Sequence, residues 1–328
     1  MNNIKKIGMT ALAASLVSTS VFAGELTVSG SASMSYENYS TTDVAAAASN
    51  NRNFTQGNEI NFAGGGELDN GLTVALAFQL DEGSASGNGT SPLFDNHSVT
   101  ISSDALGSFS LSGHGGSSAA SALDTTAAGD IFDNFDATAS IAATEVFNGS
   151  KAGNNIMKYT LPSMVDGLSV AVSYQAGGNA NAGSSSSTAY GATYTGVEGL
   201  TVSYGVGDDN DTAADEREVS TMSASYAYGS FTLSMSESEN DATTATTDQK
   251  LKSMAVSYTI TDDLSVTYGE ETFENAADAV DPEYSSFKVA YTSGGMTITA
   301  GTQSAENADG TATDKDVDYN YLTLGFAF

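Results

Sequence analysis

The chain has 328 residues, with 40 acidic and 10 basic side chains and a formal net charge of −30. So acidic a protein repels phosphate backbones, which argues against nucleic acid as a partner. Cysteine is absent, so an exported fold would need a large core or a closed sheet in place of disulfides.

The N-terminus has the pattern of an export signal. Lys5 and Lys6 precede the run IGMTALAASLVSTSVFA, which ends in small residues at Ala23. A basic start, a short apolar stretch and a small-residue site predict a signal peptide at 1–23. The mature chain is then a single domain, 24–328. It contains no run of ~18 apolar residues that would predict a membrane-spanning helix.

The mature chain alternates apolar and polar residues in short segments. From Leu26, one set of alternate positions is largely apolar and the other is rich in Ser, Thr and Glu. LTVALAFQLDEG, from Leu72, repeats the pattern. This period of two predicts β-strands with one apolar and one polar face. Further segments with the same pattern begin at Leu168, Leu200, Phe231, Met254, Leu264, Phe287 and Met296.

The connectors alternate between short and long. Seven short turns, such as 104–107 and 196–199, separate eight long polar tracts, which predicts sixteen strands. Such a meander places all turns at one end and all loops at the other. Closure into a barrel removes its two bare edges.

The polar face is too hydrophilic to form a core. The sequence therefore predicts an all-β, transmembrane, antiparallel up-and-down barrel with lipid outside and water inside. The last strand fits, because Leu322, Leu324, Phe326 and Phe328 share one face. The alternative, a soluble β-sandwich, does not predict the alternation of connector lengths.

Two stretches and the aromatic C-terminal strand carry a family resemblance. Residues 58–83 (NEINFAGGGELDNGLTVALAFQLDEG) and 97–116 (HSVTISSDALGSFSLSGHGG) resemble strand pairs of the general, trimeric porins of Gram-negative outer membranes, particularly the alphaproteobacterial type. The resemblance implies an outer-membrane location, a homotrimer, and assembly by the barrel-assembly machinery, with Phe326 and Phe328 as the assembly signal. It also implies that the third long loop folds into the barrel as a constriction.

That third loop, 115–154, is the longest of the eight predicted loops. Its apolar residues Ile131, Phe132, Phe135 and Phe147 are expected to pack back against the wall. The predicted constriction carboxylates are Asp124, Asp130, Asp133, Asp136 and Glu145. On the predicted lumen wall lie Lys158, Lys288 and His114, the last where the family often has Arg. No other Lys or Arg is expected at a lumen-facing strand position.

Catalysis has little support in this sequence. His97 and His114 are the only histidines, and no nucleophile or carboxylate completes a site around either of them. DDNDTAADE (208–216) is rich in oxygen ligands but lacks the spacing of a calcium loop. We therefore expect no catalytic, cofactor-binding or metal residues. At most, divalent cations bind loosely to acidic loops and bridge them to lipopolysaccharide.

These features predict passive diffusion of ions and small hydrophilic solutes, with a preference for cations. One alternative is a substrate-specific channel, which an aromatic ladder or basic cluster in the lumen would favour. Another is a surface structural or adhesion barrel, which would need longer or repetitive loops. The expected partners are outer-membrane lipid and lipopolysaccharide, the barrel-assembly machinery and small solutes.

Overall fold

The computed structural model describes residues 26–41, 52–81, 96–120, 125–135, 152–177, 186–208, 217–243, 248–308, 310 and 316–328. The predicted signal peptide lies outside these ranges. Across them, no helix is both long and apolar enough to span a bilayer.

The described chain forms one closed antiparallel barrel of sixteen strands, as the sequence predicts. Each strand pairs with its neighbours in the chain, and the first pairs with the last. The strands are β1 (Leu26–Thr41), β2 (Arg52–Glu67), β3 (Thr73–Asp81), β4 (Asn96–Ser103), β5 (Gly107–His114), β6 (Ile156–Thr160), β7 (Leu168–Gln175), β8 (Ser187–Val197), β9 (Leu200–Asp208), β10 (Arg217–Tyr228), β11 (Phe231–Ala242), β12 (Gln249–Thr261), β13 (Leu264–Asn275), β14 (Glu283–Ser293), β15 (Met296–Glu306) and β16 (Val317–Ala327).

The seven predicted turns all join neighbouring strands at one end of the barrel. Two predicted long loops, 238–250 and 274–283, are shorter than expected because the strands continue into polar sequence. In β11, Ser238 and Asn240 face inward and are buried, while Glu239 faces outward and pairs with Lys250. With polar residues on both faces, hydropathy gave no sign of these strand ends.

The two faces of the barrel follow the predicted alternation. Leu76 on β3 is 50% exposed on the outer face and pairs with Gly64 and Val99. Ala75 occupies the inward position next to it. The apolar outer face contacts lipid in a membrane barrel, so its exposure is the expected arrangement.

The last residue helps to close the barrel. The Gly30 N–H donates to the Phe328 carbonyl at 2.9 Å, and the Phe328 N–H donates to the Gly30 carbonyl at 3.0 Å. The Phe328 ring lies over Gly30, where an added Cβ would approach the ring to 2.8 Å. The absent side chain of Gly30 therefore makes room for the terminal ring.

Candidate functional site: the channel constriction

Loop 3 (115–154) enters the lumen, and its described parts follow the barrel wall. At its base, Gly116–Ser117 pairs with Ala152–Gly153 in a two-residue ladder. The Ala119 N–H then donates to Ser173 Oγ on β7 at 2.7 Å. On β8, the Ala119 carbonyl lies so close to Gly191 that a Cβ there would overlap it. Small wall residues thus let the loop lie flat.

Farther along, serines on two strands hold the loop. The Ala127 N–H donates to Ser236 Oγ on β11, and the Ala128 N–H donates to Ser253 Oγ on β12, both at 2.8 Å. These inward-facing serines satisfy loop N–H groups that no strand partner reaches, as buried backbone donors require. The polar face that predicted a wet lumen therefore also anchors loop 3.

A tight turn at 126–130 follows. Thr126 Oγ1 accepts from the Asp130 N–H at 2.7 Å, and Asp130 Oδ1 accepts from the Thr126 N–H at 2.8 Å. Asp130 has φ of 54°, a left-handed conformation that Asp tolerates better than most residues. The Asp130 carboxylate is thus committed to the turn.

Glu271 on β13 fastens this turn to the wall. Its side chain is 2% exposed and accepts hydrogen bonds from the Thr126 hydroxyl, from the Phe132 N–H at 3.0 Å and from Ser253 Oγ at 3.4 Å. Three donors converge on one carboxylate. This arrangement stabilises the carboxylate and fixes the loop tip at the same time.

The apolar residues of loop 3 pack against the lumen wall, which confirms the expectation for Ile131, Phe132 and Phe135. Ile131 is fully buried, and a 3₁₀ turn at Phe132–Phe135 directs both rings to the wall. The Tyr39 hydroxyl donates to the Asn134 carbonyl at 2.9 Å. The cluster is completed by wall residues Leu251, Phe273, Tyr284, Ala305, Val317 and Tyr319. Phe147 lies outside the described residues.

Inward-facing aromatics do exist, although the sequence showed no clear ladder. The Tyr39 and Tyr319 rings stack with centroids 4.4 Å apart, and Tyr319 and Tyr321 follow at 5.3 Å. Tyr319 is buried within the loop 3 cluster. This stack therefore forms part of the wall surface against which loop 3 packs.

The described parts of loop 3 contact β7, β8 and β11–β16, and Asn134 also meets Tyr39 on β1. The lumen face of β1–β6 carries a second set of polar side chains. On that face, Glu37 accepts from Thr55 Oγ1 at 3.1 Å. Glu59 accepts from Asn61 Nδ2 at 3.1 Å and from Gln79 Nε2, and Asn96 Nδ2 donates to Gln79. On β1–β4 this wall is thus lined by carboxylates and amides, whereas β6 contributes the Lys158 ammonium.

Of the predicted constriction acids, Asp130 and Asp133 lie in the described chain; Asp124, Asp136 and Glu145 lie outside it. Asp133 is exposed, whereas Asp130 is partly buried. Burial raises the pKa of Asp130 above its usual value, and the hydrogen bonds from Thr126 oppose that shift. Desolvation also raises the pKa of Asp133, with a smaller contribution from nearby Asp130.

Lys158 and Lys288 both occupy lumen-facing positions, on β6 and β14. Eight strands separate them in a sixteen-strand barrel, so they lie on opposite walls. Within the described part of the chain, neither ammonium forms an ion pair.

The expectation of no further lumen-facing cation is wrong for Arg217. It begins β10 on the same face as buried Val219, although its polar surroundings in the sequence predict a loop.

His114 lines a cavity of about 240 Å³ together with inward-facing Asn61, Gln79 and Ser112. Sequence reasoning missed Glu271, Glu37 and Glu59 as individual site residues. Their alternation placed them on the polar face. Nothing local, however, distinguished the carboxylate under the loop from those lining the passage.

The closed barrel, its lipid-facing exterior and the loop in its lumen define a membrane channel. The family model for Gram-negative porins matches residues 8–292, and the chain belongs to that family. It is accordingly an outer-membrane channel protein and not an enzyme.

Solved porin structures share the fold. An engineered mutant of Rh. blastica porin aligns with a TM-score of 0.64 and 14% identity, covering 92% of this chain and 100% of that one. Salmonella typhi OmpF in complex with daunomycin gives 0.65 and 14%, covering 93% and 98%. A porin structure refined at 1.8 Å gives 0.63 and 19%, covering 93% and 100%. No curated protein sequence matches the chain.

Proposed function

We propose that this porin passes small hydrophilic solutes by passive diffusion and prefers cations. The supporting observation is that Glu37 and Glu59 line the lumen face of β1 and β2 and that Asp133 is exposed on loop 3. At the described inward-facing positions of β1–β5 there is no Lys or Arg. Carboxylates lining a confined passage raise the local concentration of cations and repel anions.

The preference should be modest. Lys158 and Lys288 oppose the negative potential from two sides of the lumen. A charge pair ~6 Å apart in water interacts by less than ~1 kcal/mol, so selectivity of a few-fold is expected. Diffusion of this kind needs no cofactor.

Neutralising the wall acids tests the proposal. Glu37→Gln with Glu59→Gln should lower the permeability ratio of K⁺ to Cl⁻ in planar bilayers. Glu237→Gln with Glu239→Gln is the matched control, because Glu237 and Glu239 are successive outward-facing residues of β11. If only the control pair changes the ratio, or neither does, the wall acids do not set selectivity.

We also propose a homotrimer. Gln56 and Asn58 lie exposed on the outer face of β2, between lipid-facing positions. Polar amides are unfavourable against hydrocarbon, and contact with second and third copies would shield them. Native mass spectrometry of the detergent-extracted protein should give three chains per particle. Monomer at all concentrations would contradict the trimer.

The remaining proposed partners are lipopolysaccharide and the barrel-assembly machinery. We propose that Phe326 and Phe328 carry the assembly signal.

We also propose that divalent cations bridge acidic loops such as 208–216 to lipopolysaccharide phosphates, since hard cations prefer oxygen ligands. Of that loop, only Asp208 lies in the described chain. Chelator-dependent loss of lipopolysaccharide from the purified porin would support the bridging, and retention in excess chelator would contradict it.

A further inference from the structure

Tyr321, Gly301 and Lys288 lie side by side on the lumen face of three neighbouring strands. The register pairs Tyr321 of β16 with Gly301 of β15, and Gly301 in turn with Lys288 of β14. On each strand, the alternation that includes these positions also contains a buried, inward-facing residue two places away. Those buried residues are Tyr319, Gln303 and Ser286. The row therefore belongs to the wall of the lumen.

The Tyr321 ring lies across Gly301. A Cβ added at Gly301 would come within 2.6 Å of Cε1, Cζ and the hydroxyl oxygen of Tyr321, so the phenol end of the ring occupies that space. Stacking on Tyr319, with ring centroids 5.3 Å apart, supports the ring in this orientation. The hydroxyl is thus carried over β15, towards the side on which Lys288 lies.

The Lys288 ammonium can reach an anion that is bound at the Tyr321 hydroxyl. Directly opposed residues on antiparallel strands have Cβ atoms at most about 5.5 Å apart. The Tyr321 hydroxyl oxygen is 2.6 Å from the Cβ position of Gly301, which places it within about 8 Å of Lys288 Cβ. The flexible four-carbon stem of lysine covers most of that distance. One small anion can therefore accept hydrogen bonds from both groups.

Both donors lack a protein partner in the part of the chain that the structure describes. Within it, no acceptor bonds the Lys288 ammonium and none bonds the Tyr321 hydroxyl. The inward-facing residues next to Lys288 and Gly301 on β13–β15 are all uncharged. They are Thr267, Ser286, Ala290, Thr299 and Gln303. The chemical group that this part of the wall lacks is an anion.

The nearest wall carboxylates along the sheet, Glu37 and Glu271, are too distant to serve as that anion. Glu37 is three strands from Lys288, which is about 14 Å at the usual strand spacing. Glu271 is one strand and four residues away, which gives a similar separation of about 14 Å. Both distances exceed the Debye length of about 10 Å at 0.1 M salt, so these charges repel an anion at Lys288 only weakly.

We propose that Lys288 and Tyr321 form a binding site for the carboxylate group of a small solute that crosses the channel. The ammonium supplies charge and the phenol O–H supplies a second donor, while the two oxygens of a carboxylate can accept from both. One ammonium balances one negative charge, so a singly charged carboxylate fits better than a phosphate dianion. The site goes beyond the proposed diffusion of cations, because it recognises an anionic group by direct contact.

The site lies directly beneath the constriction. Two residues before Lys288 on β14, Ser286 pairs with Gly269, where an added Cβ would collide with Ala128 of loop 3. β14 runs from a long loop to a short turn, so Lys288 lies on the turn side of that contact. A solute that passes loop 3 therefore meets the site immediately. Because both donors face a wet lumen, binding is expected to be weak and rapidly reversible.

The test is the block of ion current by potassium benzoate in planar bilayers at about 1 M KCl. Near that concentration the Debye length is ~3 Å, so long-range potentials fade while direct contacts remain. Benzoate should lower the conductance of the parent porin in a saturable way, whereas benzamide, its uncharged analogue, should not. Lys288→Gln should raise the half-blocking concentration by about tenfold or more, because it removes a charge-assisted hydrogen bond. Tyr321→Phe, which keeps the ring and removes the hydroxyl, should raise it severalfold.

Lys158→Gln is the matched control. Lys158 also faces the lumen, but its register partners are Ser110 and Ser173, so no phenol lies beside it. Benzoate should block this variant as it blocks the parent, and it should also block Lys288→Arg, which keeps the charge. An unchanged block in Lys288→Gln or Tyr321→Phe would overturn the proposal. So would an equal loss of block in Lys158→Gln, an equal block by benzamide, or a parent channel that benzoate does not block.

Discussion

The Phe132 N–H of loop 3 donates to Glu271 Oε2 on β13 at 3.0 Å. Phe132 also packs its ring against the wall, with its centroid 6.2 Å from that of Phe273. Polar and apolar contacts therefore converge on the same few residues of the loop tip. The buried Glu271 carboxylate is therefore one of the main anchors of the loop tip.

Glu271→Ala should loosen loop 3. It leaves the Thr126 hydroxyl, the Ser253 hydroxyl and the Phe132 N–H without their acceptor, which should cost about 3 kcal/mol. We expect single-channel recordings with larger current fluctuations and an altered mean conductance. Glu270→Ala is the matched control, because Glu270 is adjacent but faces outward, where it accepts from Tyr268. Equal noise in the two variants would show that Glu271 does not hold the loop.

Gly30→Val should impair closure of the barrel. The new side chain would collide with the Phe328 ring and disturb the paired hydrogen bonds between residues 30 and 328. We expect less heat-modifiable barrel in the outer membrane and more aggregated or periplasmic chain. Gly325→Ala, on the paired last strand, should be tolerated because the nearest atom to an added Cβ is 3.9 Å away. A Gly30→Val protein that assembles at parental levels would rule out this role.

The assignment of faces can be checked with one pair of neighbouring substitutions. Leu76→Arg places a charge in lipid and should cost ~2–4 kcal/mol of barrel stability near the middle of the membrane. Ala75→Arg places the charge in the lumen and should mainly change conductance and selectivity. Urea unfolding in lipid vesicles measures the first effect and bilayer recordings the second. The reverse ranking would mean that the strand register is wrong by one residue.

As the pH is lowered, the preference for cations should begin to decline at a higher pH than it would if the loop aspartates had ordinary pKa values. Burial raises the pKa of both Asp130 and Asp133. An acid with a raised pKa takes up its proton earlier as pH falls, so the loop loses negative charge sooner. Reversal potentials measured from pH 7 to pH 3 should show this early decline. Asp133→Asn should reduce this early decline more than Asp130→Asn does, because the Asp130 carboxylate is hydrogen-bonded within the turn at 126–130. Equal effects of the two substitutions would contradict these different roles.

Much of this architecture could be predicted from the sequence. Strict alternation around Leu76 and connectors of two lengths specify a barrel and its two faces. The apolar residues Ile131, Phe132 and Phe135 in a polar loop indicate packing against the wall. Both signals are local, so they can be recognised without a structure.

The contacts inside the lumen could not be predicted this way. Glu271 meets Thr126 across 145 positions of sequence. Alternation places Glu271 on the inner face, but only the closed barrel shows which inward-facing carboxylate lies under loop 3. Arg217 was hidden because a strand with two polar faces resembles a loop.

Lumen carboxylates are proposed to control permeation through this porin. The most direct test of this proposal is the zero-current potential of the parent protein across a KCl gradient in planar bilayers. We expect a cation-selective potential at about 0.1 M salt, which should fade as the Debye length shortens to ~3 Å near 1 M. An anion-selective sign would contradict it and assign control to Lys158, Lys288 or Arg217.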